Sequence, residues 1–102
     1  MDNEILKNYK TIEKVVLYIR SGWSGKCIEA DKIMTSVIEN KAYSEDTFIE
    51  IIDFDKHRDN LIALNIRLNP SILLLRYGRI ENTQNDIFGV NQIQSLIKET
   101  FE

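Results

Sequence analysis

The stretch Val15-Val16-Leu17-Tyr18-Ile19 leads into a turn, residues 21–27, in which Gly22 and Gly25 give the backbone freedom. Five consecutive apolar residues without alternation predict a strand that is covered on both faces, as in a parallel sheet. A helix is predicted to follow to about Asn40, because apolar residues recur there at helical spacing. These residues are Ala30, Ile33, Met34, Val37 and Ile38.

The rest of the chain continues this α/β pattern. The predicted elements are a short helix over 4–10, a strand over 48–54, a helix over 56–64 that stops near Asn65, strands over 71–75 and from about 80 to 88, and a helix over 91–101. Tyr77-Gly78-Arg79 is a tight turn between the last two strands, and the polar residues 81–85 are expected to bulge or loop out. The first two strands should be parallel and the last two antiparallel, which gives a four-stranded mixed sheet with helices on both faces.

Composition limits the classes of function. The 102 residues fit one domain, 1–102, and the 43% hydrophobic and 28% charged residues are ordinary for a globular protein. A net charge of −3 and scattered basic residues argue against nucleic acid as a partner. No apolar run approaches the ~20 residues that span a membrane, and the N-terminus lacks a secretory signal. One unpaired cysteine suits a reducing compartment, so the expected location is cytoplasmic.

The segment Trp23-Ser24-Gly25-Lys26-Cys27 reads like a two-cysteine redox motif whose first cysteine is a serine. Cys27 is the only cysteine of the chain, so no intramolecular disulfide can form. Disulfide exchange needs one thiolate that attacks and a second thiol that resolves the mixed disulfide. A lone Cys27 therefore lacks the dithiol cycle.

This motif after the first strand, with Asn69-Pro70-Ser71 before the third, resembles the thioredoxin family. Members of that family carry W-C-G-P-C, a cis-proline, a hairpin glycine and a glycine before the last helix. The matching positions here are Trp23 to Cys27, Pro70, Gly78 and Gly89, and Asp55 matches the family's acidic residue at a strand end. The resemblance implies a thioredoxin-like fold without the N-terminal strand, a disulfide oxidoreductase active in cell redox homeostasis, and no cofactor.

Several positions depart from the family's pattern together. Ser24 occupies the place of the nucleophilic cysteine, and Lys26 replaces the proline of the motif. Tyr18 and Ile51 stand where the family has a buried aspartate and its lysine partner, and Leu68 replaces a small residue. These linked changes favour a scaffold that uses Cys27 alone or uses its groove without redox chemistry.

Ser24 and Cys27 each have two interpretations. Ser24 either marks the catalytic position or only caps the following helix, since serine is a preferred N-cap. For Cys27, the helix N-terminus and Lys26 favour a reactive thiolate, whereas burial would make it a small hydrophobic residue.

A peptide-binding groove is a further implication of the resemblance. In the family, an extended substrate lies beside the cis-proline as an added strand, a mode that needs no sulfur. The residues expected to bind substrate are Trp23, Gly25, Lys26, Asn69, Pro70 and Gly89. The Asn69–Pro70 bond is expected to be cis.

A metal site is not predicted. Asp53, Asp55, His57 and Asp59 alternate, but one histidine with carboxylates at these spacings matches no transition-metal pattern.

Three functional hypotheses stay open from the sequence. The first is an atypical monothiol oxidoreductase that forms mixed disulfides with a protein or peptide at Cys27. The second is a non-catalytic adaptor or chaperone module that binds peptides. The third is an engineered serine at position 24 of an ordinary C-G-K-C thioredoxin. A monomer is expected in each case.

Overall fold

A computed structural model describes residues 8–22, 25–41, 43–66, 70–85 and 89–102 of the chain. Four strands form one mixed sheet in the order β2-β1-β3-β4. They are β1 (Lys14–Arg20), β2 (Thr47–Asp53), β3 (Ser71–Arg76) and β4 (Arg79–Gln84). Strand β1 pairs parallel with β2 and antiparallel with β3, and β3 pairs antiparallel with β4. The predicted sheet and its parallel and antiparallel pairs are confirmed.

Three α-helices accompany the sheet: α1 (Lys26–Asn40), α2 (Arg58–Ala63) and α3 (Val90–Phe101). Each lies within one or two residues of its predicted span, and α2 is shorter than predicted. A short 3-10 helix covers Tyr9–Thr11. This turn lies at the end of the helix predicted over 4–10, and residues 4–7 of that prediction lie outside the described part of the chain.

The sheet separates two hydrophobic clusters, and strand β1 contributes side chains to both. Val15, Leu17 and Ile19 pack on one face of the sheet with residues such as Leu61 of α2. Val16 and Tyr18 pack on the other face with residues of α1 and α3. Successive side chains of a strand point to opposite faces, so an unbroken apolar run is what a strand covered on both sides requires. All five residues from 15 to 19 are buried, which confirms the prediction.

The fourth strand differs from its prediction. It covers Arg79–Gln84 rather than residues 80–88, of which 86–88 lie outside the described part. The polar residues 81–84 belong to the strand, and the expected bulge lies at Glu81, since Asn82 pairs with Leu74 and Ile80 with Leu75. Because β4 is at the edge of the sheet, its side chains are mostly exposed and polar residues are tolerated there. The irregularity is a register shift between Leu74 and Leu75 of β3.

Strand β2 and helix α2 carry apolar residues that are less buried than their composition suggests. Leu61 is fully buried, but its neighbour Ile62 is exposed. In β2, Ile52 is buried whereas Phe48 and Ile51 are exposed. The position that the family fills with a buried lysine, Ile51, is therefore partly open to solvent.

Two connections adopt the left-handed conformations that the sequence predicts. Asn65 ends α2 with φ of 64°. Tyr77 and Gly78 form the β3–β4 turn with φ of 49° and 81°. Two successive positive φ values are typical of the two-residue hairpin turn that suits strand twist.

Candidate functional site

Cys27 lies in the first turn of α1 and is completely buried. Its Sγ atom accepts a hydrogen bond from the backbone N–H of Ser21, with a nitrogen–sulfur distance of 3.3 Å. Ser21 follows β1 directly, so the sulfur faces the end of the central strand. The sulfur is thus fixed by a backbone donor at the start of helix α1 and shielded from solvent.

Ser21 connects the cysteine to a carboxylate. Its side chain is buried, and its Oγ donates a hydrogen bond of 3.0 Å to Oδ2 of Asp55. Asp55 follows β2, which runs parallel to β1, and the carboxyl ends of the two strands lie at the same edge of the sheet. Asp55, the position that resembles the family's acidic residue, is thus hydrogen-bonded to Ser21, whose N–H donates to the sulfur of Cys27.

Tyr18 reaches the same region from the face of the sheet that α1 covers. Its Oη donates a hydrogen bond of 2.7 Å to Oδ1 of Asp31, and it lies 3.5 Å from the backbone oxygen of Cys27. A carboxylate from helix α1 therefore lies close to the cysteine. Tyr18 stands where the family has a buried aspartate, and the acidic group here comes from a different element.

Arg20 completes this cluster. Its Nε and Nη2 donate to the two oxygens of Asp31 at 3.0 and 3.2 Å, and its Nη1 lies 3.6 Å from Oδ2 of Asp53. A bidentate arginine–carboxylate pair fixes geometry as well as charge. The Asp31 side chain is therefore held by both a phenol and a guanidinium.

Two pKa values reflect these contacts. Burial, followed by the hydrogen bond to Asp31, raises the pKa of Tyr18 above its ordinary value of 10.0. The hydrogen bond to Asp31 raises the pKa of Arg20 as well. Both shifts favour a neutral Tyr18 phenol that donates to Asp31 and a charged Arg20 guanidinium.

The structure brings Pro70 to the same end of the sheet. Pro70 is buried and directly precedes β3, and the next residue, Ser71, pairs with Ile19 of β1. Pro70 therefore lies near the level of Ser21, whose N–H holds the sulfur. Gly89 is the N-cap of α3 in an extended conformation.

Gly25 and Lys26 are exposed at the start of α1. The N-cap of this helix is Gly25, without a side-chain hydrogen bond, so the N-cap lies one residue later than the predicted Ser24. Ser24 itself, Trp23 and Asn69 lie outside the described residues, as does Leu68. The cis bond predicted at Asn69–Pro70 also lies outside them.

Sequence reasoning missed Asp31, Arg20 and the role of Ser21. A signal for each was present: Asp31 follows Cys27 by four residues, which puts both on one side of a helix, and Arg20 follows Tyr18 by two residues in a strand. Their convergence required knowledge of how α1 packs on β1.

Within the described ranges, no three His, Cys, Asp or Glu side chains are arranged to hold a metal ion. In the same part of the chain, no helix has the length and apolar character needed to cross a membrane.

The architecture is similar to that of solved thioredoxin structures. A mutant thioredoxin from Halobacterium salinarum matches with a TM-score of 0.78 and 18% identity, over 100% of this chain and 87% of the other. Thioredoxin O2 from Arabidopsis thaliana in its oxidised state matches with a TM-score of 0.74 and 17% identity, over 98% and 86%. A protein named Trxlp from Edwardsiella tarda gives 0.78 and 12%, over 95% and 94%.

The chain has the thioredoxin fold. No known protein-family profile matches its sequence, and no curated protein does. Within the thioredoxin fold, Gly25-Lys26-Cys27 lies at the junction of β1 and α1, where the resemblance of the motif predicts it. Beside Cys27, Tyr18 lies 3.5 Å from the backbone oxygen of the cysteine and donates to Asp31, which Arg20 also binds.

Proposed function

We propose that the chain is a thioredoxin-like protein in which Cys27 exchanges disulfides as a single thiol. The observation that supports this most directly is the hydrogen bond from the Ser21 N–H to Sγ of Cys27 at 3.3 Å. The hydrogen bond fixes the sulfur in the first turn of a helix, and cysteines that react in disulfide exchange are often found at helix N-termini. The neighbouring charges of Arg20 and Asp31 hold the surrounding side chains in place.

The exchange requires one partner disulfide and one external thiol. The Cys27 thiolate attacks a disulfide R–S–S–R′, forms Cys27–S–S–R and releases R′–S⁻. A small thiol such as glutathione then attacks the mixed disulfide, forms a disulfide with R and regenerates the Cys27 thiolate. A chain with one cysteine fits a reducing compartment such as the cytoplasm, where small thiols are abundant.

Complete burial of Cys27 sets a condition on this chemistry. The Cys27 sulfur must become exposed before it can approach a partner disulfide in line with the S–S bond that breaks. Exchange is therefore expected to be slow and to depend on a local opening at the start of α1.

The test measures modification of Cys27 by glutathione disulfide, followed by intact mass spectrometry of the folded protein. Because the chain has one cysteine, one adduct is expected, and it should disappear on addition of reduced glutathione. Cys27→Ala should give no adduct. Ser24→Cys provides the matched gain-of-function variant, for which dithiol activity is expected to exceed the wild-type rate by at least about 100-fold, since an intramolecular thiol resolves the mixed disulfide at high effective concentration.

Failure of folded wild-type chain to form any adduct over hours, while urea-unfolded chain reacts at once, would contradict the monothiol function. Inactivity of Ser24→Cys would mean that the changes around Tyr18 and Lys26 prevent dithiol chemistry as well.

A second candidate is a peptide-binding module without redox chemistry. Two observations favour it: Cys27 is inaccessible, and Pro70 lies at the same end of the sheet as the motif. An extended peptide would add as a strand beside Pro70 and contact Trp23 and Asn69. In that case partner binding persists in Cys27→Ala and weakens in Trp23→Ala.

A further inference from the structure

The outer edge of β2 is open in the described part of the chain. Strand β2 has β1 as its neighbour on one side and no described strand on the other. It is seven residues long, from Thr47 to Asp53, and pairs with β1 over its whole length. An open strand of this length presents a row of backbone donors and acceptors to which another strand can pair.

The side chains of β2 continue both hydrophobic faces of the sheet beyond this edge. Phe48 lies beside Val15 and is 52% exposed, and Ile51 lies beside Tyr18 and is 46% exposed. Burying these two side chains under an added strand would remove apolar surface from water on both faces.

Glu50 lies between these two residues and is half-buried. Its neighbour on β1 is the apolar Leu17, and within the described residues the Glu50 carboxylate has no hydrogen bond or ion pair. A partner for this carboxylate can come from the open side of the strand. A Lys or Arg directly opposite would satisfy it as a cross-strand pair.

The opposite edge of the sheet, β4, is built differently. Its side chains are mostly exposed and polar, Arg79 pairs with Glu81 at 2.8 Å, and the pairing of β3 with β4 contains a register shift. Charged residues and irregular pairing protect an edge against strand addition. Strand β2 pairs regularly with β1 and carries Glu50 as its one charged residue between the two ends. This carboxylate disfavours an added strand that has no cation opposite it, so β2 is suited to a cationic segment.

The charged residues on and before β2 favour one kind of added strand over others. The charged residues of the strand and of the two positions before it are acidic: Glu45, Asp46, Glu50 and Asp53. Lys14 and Arg20 of β1 already lie 3.4 Å from Asp46 and 3.6 Å from Asp53, so Glu50 is the carboxylate within the strand that lacks a cation in the described part of the chain. An antiparallel second copy centred on this strand would place Glu50 opposite Glu50, so that self-pairing is disfavoured. A cationic strand is complementary.

We propose that the open edge of β2 binds an extended segment of a partner protein as an added strand, with a Lys or Arg opposite Glu50 and apolar residues at the flanking positions. The apolar residues would cover Phe48 and Ile51, and the backbone of the segment would pair with that of β2. This surface does not include Cys27, so strand binding at β2 does not depend on the proposed redox function.

The test uses two seven-residue peptides, acetylated and amidated: Thr-Val-Ile-Lys-Ile-Val-Thr and the same peptide with Glu in place of Lys. Each sequence reads the same in both directions, so its central residue can lie opposite Glu50 in either a parallel or an antiparallel alignment. We expect the Lys peptide to bind about two- to five-fold more tightly than the Glu peptide, as one cross-strand ion pair allows. Backbone amide shifts in NMR spectra should concentrate on β2 rather than β4.

Glu50→Lys should reverse this preference, so that the Glu peptide binds more tightly. Glu45→Lys changes the net charge equally but lies before the strand, and it should leave the preference unchanged. Equal effects of the two variants would mean that only overall charge attracts the peptide, and would overturn the proposal.

Two further outcomes would also overturn it. Slow hydrogen exchange of all β2 amides in the peptide-free monomer would show that another part of the chain already covers the edge. A stable dimer in sedimentation velocity, abolished by Glu50→Lys or Ile51→Lys, would show that a second copy is the occupant.

Discussion

At the scale of single residues, Tyr18 links the central strand to helix α1 beside the cysteine. Its phenol donates a hydrogen bond to the Asp31 carboxylate of that helix. Arg20 binds the same carboxylate, so its charge is balanced in a partly buried place. The cost of burying Asp31 is offset by these charge-assisted hydrogen bonds.

Tyr18 also predicts a pH dependence of stability. Burial first, and the hydrogen bond to Asp31 second, raise the pKa of Tyr18 above 10.0 in the folded chain. In the unfolded chain it ionises near about pH 10, so above that pH unfolding releases a proton. The stability conferred by the neutral tyrosine is fully present below about pH 10 and falls as pH rises, by about 1.4 kcal/mol per pH unit.

Urea unfolding of wild type and Tyr18→Phe between pH 8 and 11 measures this effect. The difference in free energy of unfolding should shift in favour of the phenylalanine variant above about pH 10. Tyr77→Phe, in the exposed hairpin, controls for loss of one tyrosine. Parallel pH curves for wild type and Tyr18→Phe would show that Tyr18 does not titrate differently in the two states.

At the scale of elements, the β3–β4 hairpin is fixed by its turn. Gly78 has φ of 81°, a conformation that strains any residue with a Cβ. A Cβ there would also lie 2.8 Å from Cγ and 3.1 Å from Cα of Lys10. The turn thus packs against the backbone of the segment that precedes β1.

Gly78→Ala should lower the free energy of unfolding by about 1–3 kcal/mol, because left-handed strain and a clash with backbone add together. Gly22→Ala is the matched control, since a Cβ at Gly22 meets nothing within 4 Å. Thermal unfolding followed by circular dichroism compares the two. Equal stability of both variants would mean that the hairpin adjusts without cost.

At the scale of the whole molecule, the sheet couples two cores. Leu17 belongs to the cluster on one face and Leu74 to the cluster on the other, and both are fully buried. They lie on adjacent paired strands, β1 and β3. Loss of packing on one face therefore removes support for the strands that carry the other.

Leu17→Ala and Leu74→Ala should each lower the free energy of unfolding by about 2–5 kcal/mol, and each should leave a single cooperative transition. Ile28→Ala, at a side chain that is 60% exposed, should change it by less than about 0.5 kcal/mol. Unfolding followed by both circular dichroism and hydrogen exchange tests cooperativity. Separate transitions for the helices on the two faces would contradict the coupling.

Much of the fold was predictable because its signals are local. The apolar run at 15–19, the helical stripe from Ala30 to Val37, and the turn residues Asn65 and Gly78 each specify conformation within a few residues. The start of β4 was predicted to within one residue, and its end was placed too late, since Asn85 already lies outside the strand and residues 86–88 are outside the described part. Its pairing with β3 is a long-range property that its own composition does not reveal.

The candidate site was predictable in part. Cys27 and Pro70 were identified from a resemblance of motif and spacing, and the structure brings them to one end of the sheet. Asp31 was not identified, because a single aspartate in a helix carries no local mark of its partners. Ser21 was not identified either, because its contribution to the sulfur is a backbone N–H.

The sequence by itself determined the order and type of the elements and removed the dithiol cycle, since one cysteine cannot form an internal disulfide. The tertiary structure decided that Cys27 is buried, that Asp31 joins Tyr18 and Arg20, and that β2 has an open acidic edge in the described part of the chain. Periodicity and composition act over neighbouring residues, whereas burial, ion pairing and edge position depend on which distant strands and helices meet.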